Sequence, residues 1–198
     1  MKLPFHLSIV IALALTVSWS ALAQESPFEL KKGDLALDFE GIDQNGDLFK
    51  LYDALEKGPV VLMFYRGFWC PHCNKQLSQL EDSLSFITDK GGVVVAVTPE
   101  QPEFINKTID NTGASFKIIH DKDLSVMNQY HVAFRVEEAL LKKYKAWDID
   151  VLTTNGDNGP NLPVPATYII GQDKKILYAF FDPDYKKRAT VGKILQNL

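Results

Sequence analysis

The sequence predicts an α/β fold, a central mixed sheet with helices on both faces. Three observations lead to it. Val60 to Tyr65 and Val93 to Thr98 are continuous apolar runs rich in β-branched residues, as expected of strands covered on both sides. Between them, Leu77, Leu80, Leu84 and Ile87 recur at helical spacing. Two later apolar runs, Thr167 to Ile170 and Ile176 to Phe181, are joined by the polar turn Gly171-Gln172-Asp173-Lys174-Lys175.

The first 23 residues read as a secretory signal: Lys2, an apolar run from Leu7 to Val17, and Ala21-Leu22-Ala23 before Gln24. That run is shorter than a membrane span of about 20 residues, so the expectation is export without stable membrane insertion after cleavage, into a periplasmic or secreted setting. No cysteine stands at the cleavage point to carry a lipid. Residues 24–198 have the size of one domain.

Along that domain, a polar connector reaches Gly33. Asn45-Gly46-Asp47 then reads as a hairpin-like turn between the stretches Leu35 to Phe39 and Leu48 to Leu51. Val60 to Tyr65 is the best central strand. A helix follows from Pro71 to Lys90, stopped by Gly91-Gly92, and then the strand Val93 to Thr98. Strand, helix, strand in that order implies a right-handed crossover and a parallel pair. Helices are expected over Pro102–Asn111, Leu124–Tyr130, Glu137–Trp147 and Tyr185–Leu198, with a strand over Phe116–Ile119. The Gly/Asn/Pro-rich stretch Asn155 to Pro163 reads as a loop inserted at the rim of a site.

Composition excludes some classes. The formal net charge is −4 and no basic run interleaves with aromatics, which argues against a nucleic-acid partner. The Lys142, Lys143, Lys145 group reads as a solvated helix side.

Cysteine usage is the informative feature. The chain has 2 cysteines, both in Cys70-Pro71-His72-Cys73, so no disulfide framework is available to it. A short loop closed by a disulfide gains little, so the pair reads as reactive rather than structural. Cys70 falls where strand turns to helix, at the strand edge where α/β sheets place their chemistry. Pro71 suits the first helical position, and free backbone N–H groups there favour an anion. The expectation is that Cys70 is held ionised and attacks, and that Cys73, one turn on, resolves. His72 near a thiolate would stabilise the reduced form and make the pair strongly oxidising. No cofactor and no metal are called for.

The run Phe64-Tyr65-Arg66-Gly67-Phe68-Trp69-Cys70-Pro71-His72-Cys73-Asn74 resembles the peroxiredoxin-like members of the AhpC/TSA family. Gly33-Asp34, Asp38-Phe39, Val97-Thr98-Pro99-Glu100 and Leu162 to Tyr168 extend the likeness from about residue 30 onward. The resemblance implies a thioredoxin-like fold, with Trp69 beside the cysteines and a cis Val164–Pro165 bond facing them. Typical members also carry a Pro-x-x-x-Thr/Ser-x-x-Cys motif and a later arginine that polarise peroxide. Here those places hold Met63, Gly67 and Pro165. Arg66 or Arg188 is left to supply positive charge, although each also reads as an ordinary surface or structural arginine.

Three functions compete. A peroxiredoxin-like enzyme would reduce a peroxide through Cys70 and Cys73 and be recycled by a thioredoxin-like reductant. A DsbA- or thioredoxin-like enzyme would exchange disulfides with exported thiol proteins. A Sco-like copper carrier would use the cysteines as soft ligands, but such proteins have wider cysteine spacing and a histidine where this chain has Leu162-Pro163-Val164. The family likeness puts peroxide reduction slightly ahead of disulfide exchange.

Overall fold

A small antiparallel hairpin of β1 (Glu40–Ile42) and β2 (Leu48–Lys50) opens the part of the chain that the computed structural model describes, residues 30–198. The signal-like residues 1–23 lie outside the described residues. The expected turn at Asn45-Gly46-Asp47 joins the two strands, because the Asp43 carboxylate accepts the Asn45 and Asp47 N–H groups at 2.9 and 3.0 Å. The first strand is displaced from Leu35–Phe39, however. Those residues run past the main sheet, Leu35 making a single bridge to Lys175 while Phe39 enters the core.

After α1 (Leu51–Leu55), a helix too short to show a period in sequence, comes β3 (Val60–Phe64), in which every residue is buried. Its alternation divides the molecule. Val60, Leu62 and Phe64 face one core with Leu51 and Leu55 of α1, whereas Val61, Met63 and Tyr65 face the other. On that second side lie α2 (Pro71–Asp82) and α3 (Leu84–Asp89), through Leu77, Leu80 and Ile87. The single helix expected from Pro71 to Lys90 is thus broken at Ser83, whose backbone (φ −111°, ψ 7°) leaves the helical region.

The remaining elements are β4 (Val93–Thr98), α4 (Pro102–Thr112), β5 (Lys117–His120), α5 (Ser125–Gln129), β6 (Ala133–Arg135), α6 (Glu138–Lys145), α7 (Val151–Asn155), β7 (Asn161–Pro163), β8 (Ala166–Ile170), β9 (Ile176–Phe181) and α8 (Val191–Gln196). Gly113, at φ 71°, takes the left-handed position that ends α4. The main sheet runs in the order β5-β4-β3-β8-β9. β3, β4 and β5 are parallel; β8 and β9 are antiparallel to their neighbours. Residues of α1 and α5 pack on one face, and those of α2, α3, α4 and α8 on the other. This is a thioredoxin-like α/β fold.

Two stretches differ from their reading in ways that shape the site. The Asn155–Pro163 stretch is no open loop: α7 ends within it and β7 pairs with β6. Asn158 ties it to the main sheet by donating to the Pro99 and Asp121 carbonyls at 2.8 and 3.0 Å. The C-terminal helix starts late, at Val191, because the Asp182 and Asp184 carboxylates accept the Asp184 and Lys186 N–H groups and so compete with helix formation. Residues 182–190 therefore form an irregular crossing that returns to the cysteine edge of the sheet.

Candidate redox site

Cys70 caps α2. Its backbone is extended (φ −90°, ψ 106°), Pro71 takes the first helical position, and its sulfur accepts the Cys73 N–H at 3.3 Å. Cys73 lies one turn further along the same face. Both cysteines are reduced and almost fully buried.

The cation in contact with the pair is Arg188, and Arg66 also acts on Cys70 from further off. Its Nη2 lies 3.4 Å from Cys73 Sγ and 4.0 Å from Cys70 Sγ, while Nη1 donates to the Tyr185 and Lys187 carbonyls. These carbonyls aim the guanidinium, and they are available because residues 182–190 are not helical. The electrostatic outcome differs from the sequence expectation that Cys70 carries the charge. The hydrogen bond to Cys73, reinforced by burial, pushes the Cys70 thiol far above the ordinary range. Burial acts to raise Cys73 as well, but the hydrogen bond from Cys70, the Arg188 guanidinium and the Arg66 backbone N–H outweigh it, bringing Cys73 down to about 6. The dithiol thus holds one negative charge near neutrality, centred on Cys73 and shared with Cys70 through one proton.

Beside the pair sits a residue to which the sequence assigns no role. Glu100, just past β4, is fully buried, and both its oxygens lie within hydrogen-bond distance of the Phe68 N–H, at 3.1 and 2.9 Å. Burial pushes its carboxyl up to about 8, and the charge on Cys73 adds to the rise. Gly67 has no room for a side chain: a Cβ there would collide with the Glu100 carboxylate and Trp69 Nε1. The position that holds a hydroxyl in typical peroxiredoxins is therefore backed by a carboxyl group.

The other expected site residues surround this centre. Arg66 is buried and faces rings, with its guanidinium carbon 4.5, 4.9 and 5.5 Å from the Tyr185, Trp69 and Tyr144 ring centres and Nη2 donating to the Tyr144 hydroxyl. Trp69 leans on Tyr144, ring centres 5.4 Å apart. His72 makes no hydrogen bond to either sulfur; its ring meets the edge of Tyr185 at 5.8 Å. Pro165 is buried directly before β8, whose Ala166 pairs with Phe64, so it stands at the cysteine edge. The Val164–Pro165 bond is trans, since no cis peptide occurs among the described residues. β7 feeds extended backbone into β8 there, Val164 N–H bonding the Val132 carbonyl at 2.8 Å, and trans is the intrinsically favoured isomer. Among the described residues, no group of three or more His, Cys, Asp or Glu could hold a metal ion, and no helix is long and apolar enough to cross a membrane.

The AhpC/TSA family model matches residues 32–179. The chain belongs to the AhpC/TSA family. Its members' thiol chemistry makes it a thiol-dependent oxidoreductase. It is 29% identical over 133 residues to the thiol-disulfide oxidoreductase ResA of Halalkalibacterium halodurans, covering 67% of this chain and 73% of ResA. It is 28% identical over 103 residues to the peroxiredoxin Bcp of Escherichia coli, covering 52% of this chain but only 65% of Bcp. In structure it resembles the peroxidoxin BcpB of Mycobacterium tuberculosis, with a TM-score of 0.66, 21% identity, and coverage of 85% of this chain and 96% of BcpB. The AhpC/TSA relatives thus include both peroxide-named and disulfide-named enzymes.

Proposed function

We propose that this AhpC/TSA member is primarily a thiol–disulfide oxidoreductase cycling Cys70 and Cys73. The observation that carries the reading is the back wall of the site, where Gly67 and the buried Glu100 carboxyl stand in place of a peroxide-polarising hydroxyl. One guanidinium also serves both sulfurs, which suits two positions that exchange a charge.

In the reducing direction, Cys70 attacks a partner disulfide while its proton passes to Cys73. A Cys70–partner bond forms, the partner S–S bond breaks, and one partner thiolate leaves. Cys73 then attacks Cys70 Sγ, its proton passing to a partner thiolate, so the second partner sulfur is released and the pair becomes a disulfide. Two electrons reach the partner, and the reverse sequence oxidises a partner dithiol.

Peroxide reduction is the second reading, supported by the Bcp likeness and by Arg188 Nη2 at 4.0 Å from Cys70. There Cys70 takes one peroxide oxygen as a sulfenic acid, an alcohol or water leaves, and Cys73 closes the disulfide with loss of water. A thioredoxin-like reductant would restore the dithiol. The segment 1–23 supports an exported setting, in which exported thiol proteins would be the exchange partners.

Stopped-flow mixing of the reduced protein with glutathione disulfide and, separately, with hydrogen peroxide tests the choice. Disulfide exchange predicts fast oxidation by the first and slow oxidation by the second; the opposite order would establish the peroxidase reading. Cys73→Ser should trap a mixed disulfide on Cys70.

A further inference from the structure

Sharing Arg66 and Pro165 with the surroundings of the redox pair, but lined by neither cysteine, is a cavity of about 420 Å³, within the range of about 300–1,000 Å³ usual for small-molecule sites. Its walls are apolar: Phe134 from β6, Tyr144 from α6, Trp147 beyond α6, and Pro183 and Tyr185 from the irregular crossing. Among the described residues, Arg66 is the only charged one in its lining. Trp147 and Tyr185 are 64% and 41% exposed, so the mouth is open to solvent.

The charge on Arg66 is unusual for its place. The residue is 3% exposed, no carboxylate among the described residues lies within ion-pair distance, and its Nε is buried without a hydrogen-bond partner. Three aromatic rings offset part of the cost of a buried cation, and the charge shared by Cys70 and Cys73 acts on it from a distance, but no anionic group is in contact with it. A neutral apolar ligand would fill the cavity and leave that cation without a contacting anion. A polyanion would find one cation and apolar walls. A single negative charge attached to an apolar body meets both conditions.

We propose that this cavity binds a free amphipathic monocarboxylate, its carboxylate on the Arg66 guanidinium and its alkyl body among the Phe134, Trp147 and Tyr185 rings. Neither cysteine lines the cavity, although Arg66 and Pro165 belong both to it and to the surroundings of the redox pair, and its occupancy is measurable whichever thiol reaction the enzyme performs.

Calorimetric titration of the full chain with octanoate, 1-octanol and octylammonium isolates the charge, since all three share one tail. Octanoate should bind about ten- to a hundredfold more tightly than octanol, the factor expected of a charge-assisted contact, and octylammonium should not bind. Equal affinity for octanoate and octanol, or no octanoate binding, would overturn the proposal. Arg66→Met should reduce octanoate to the affinity of octanol. In case loss of that buried side chain unfolds the protein, Leu140→Trp, which fills the cavity from a half-buried position on α6 and keeps the guanidinium, should abolish octanoate binding; retained binding would place the ligand elsewhere.

Discussion

The guanidinium of Arg188 touches both halves of the redox pair, its Nη2 lying 3.4 Å from the Cys73 sulfur and 4.0 Å from that of Cys70. Together with the hydrogen bond between the two sulfurs, this contact sets where the negative charge of the dithiol rests. Disulfide formation removes the charge and leaves the arginine in place, so Arg188 stabilises the reduced state relative to the oxidised one.

Removing that contact should make the pair less oxidising. In Arg188→Gln the first thiol ionisation should rise by about one to three pH units, the shift typical of losing an adjacent opposite charge. The reduction potential measured against glutathione should then fall, and alkylation by iodoacetamide at neutral pH should slow. Arg188→Lys should restore part of each effect. An unchanged potential in the Gln variant would remove Arg188 from the mechanism.

Glu100 gives a pH dependence of the opposite sense to an ordinary ion-paired carboxylate. Its folded-state pKa of about 8 lies above its reference value of 4.5, so the folded protein binds the extra proton. Stability from this group is fully present below about 4.5 and is lost as pH rises to about 8. Urea unfolding should therefore show Glu100→Gln to be more stable than the parent at about pH 9, by an amount of the order of a few kcal/mol, and little different at about pH 5.

Adding one methyl group at position 67 should disturb both stability and chemistry. Gly67→Ala drives its Cβ into the Glu100 carboxylate and the Trp69 indole, so a loss of about 1–3 kcal/mol is expected from chemical denaturation. Near-ultraviolet dichroism should change with it, since Trp69 must turn away from Tyr144.

Much of this site is legible in the chain, for local reasons. A proline directly after Cys70 and ahead of a helical repeat suits the first turn of a helix, and the apolar runs of β3 and β4 suit strands covered on both faces, so the strand–turn–helix placement of the cysteines follows from short-range rules. Arg188 is not legible in the same way. Its approach depends on Asp182 and Asp184 capturing backbone N–H groups and delaying the last helix, which hydrophobic spacing does not register. Asp-Pro-Asp at 182–184 was the available signal. Glu100 is hidden for another reason: a glutamate shortly before Pro102 reads as a helix start, and only the three-dimensional neighbourhood of Phe68 and Gly67 shows it buried. The trans Val164–Pro165 bond departs from the family likeness where the β6–β7 insertion feeds the chain into β8.

The most direct test is the ultraviolet thiolate absorbance of the reduced protein followed against pH. The arrangement of Arg188, Cys70 and Cys73 predicts one thiolate appearing near about pH 6, with the second absent until strongly alkaline conditions. Two thiolates appearing together near about 8.5, as in free cysteine, would contradict it.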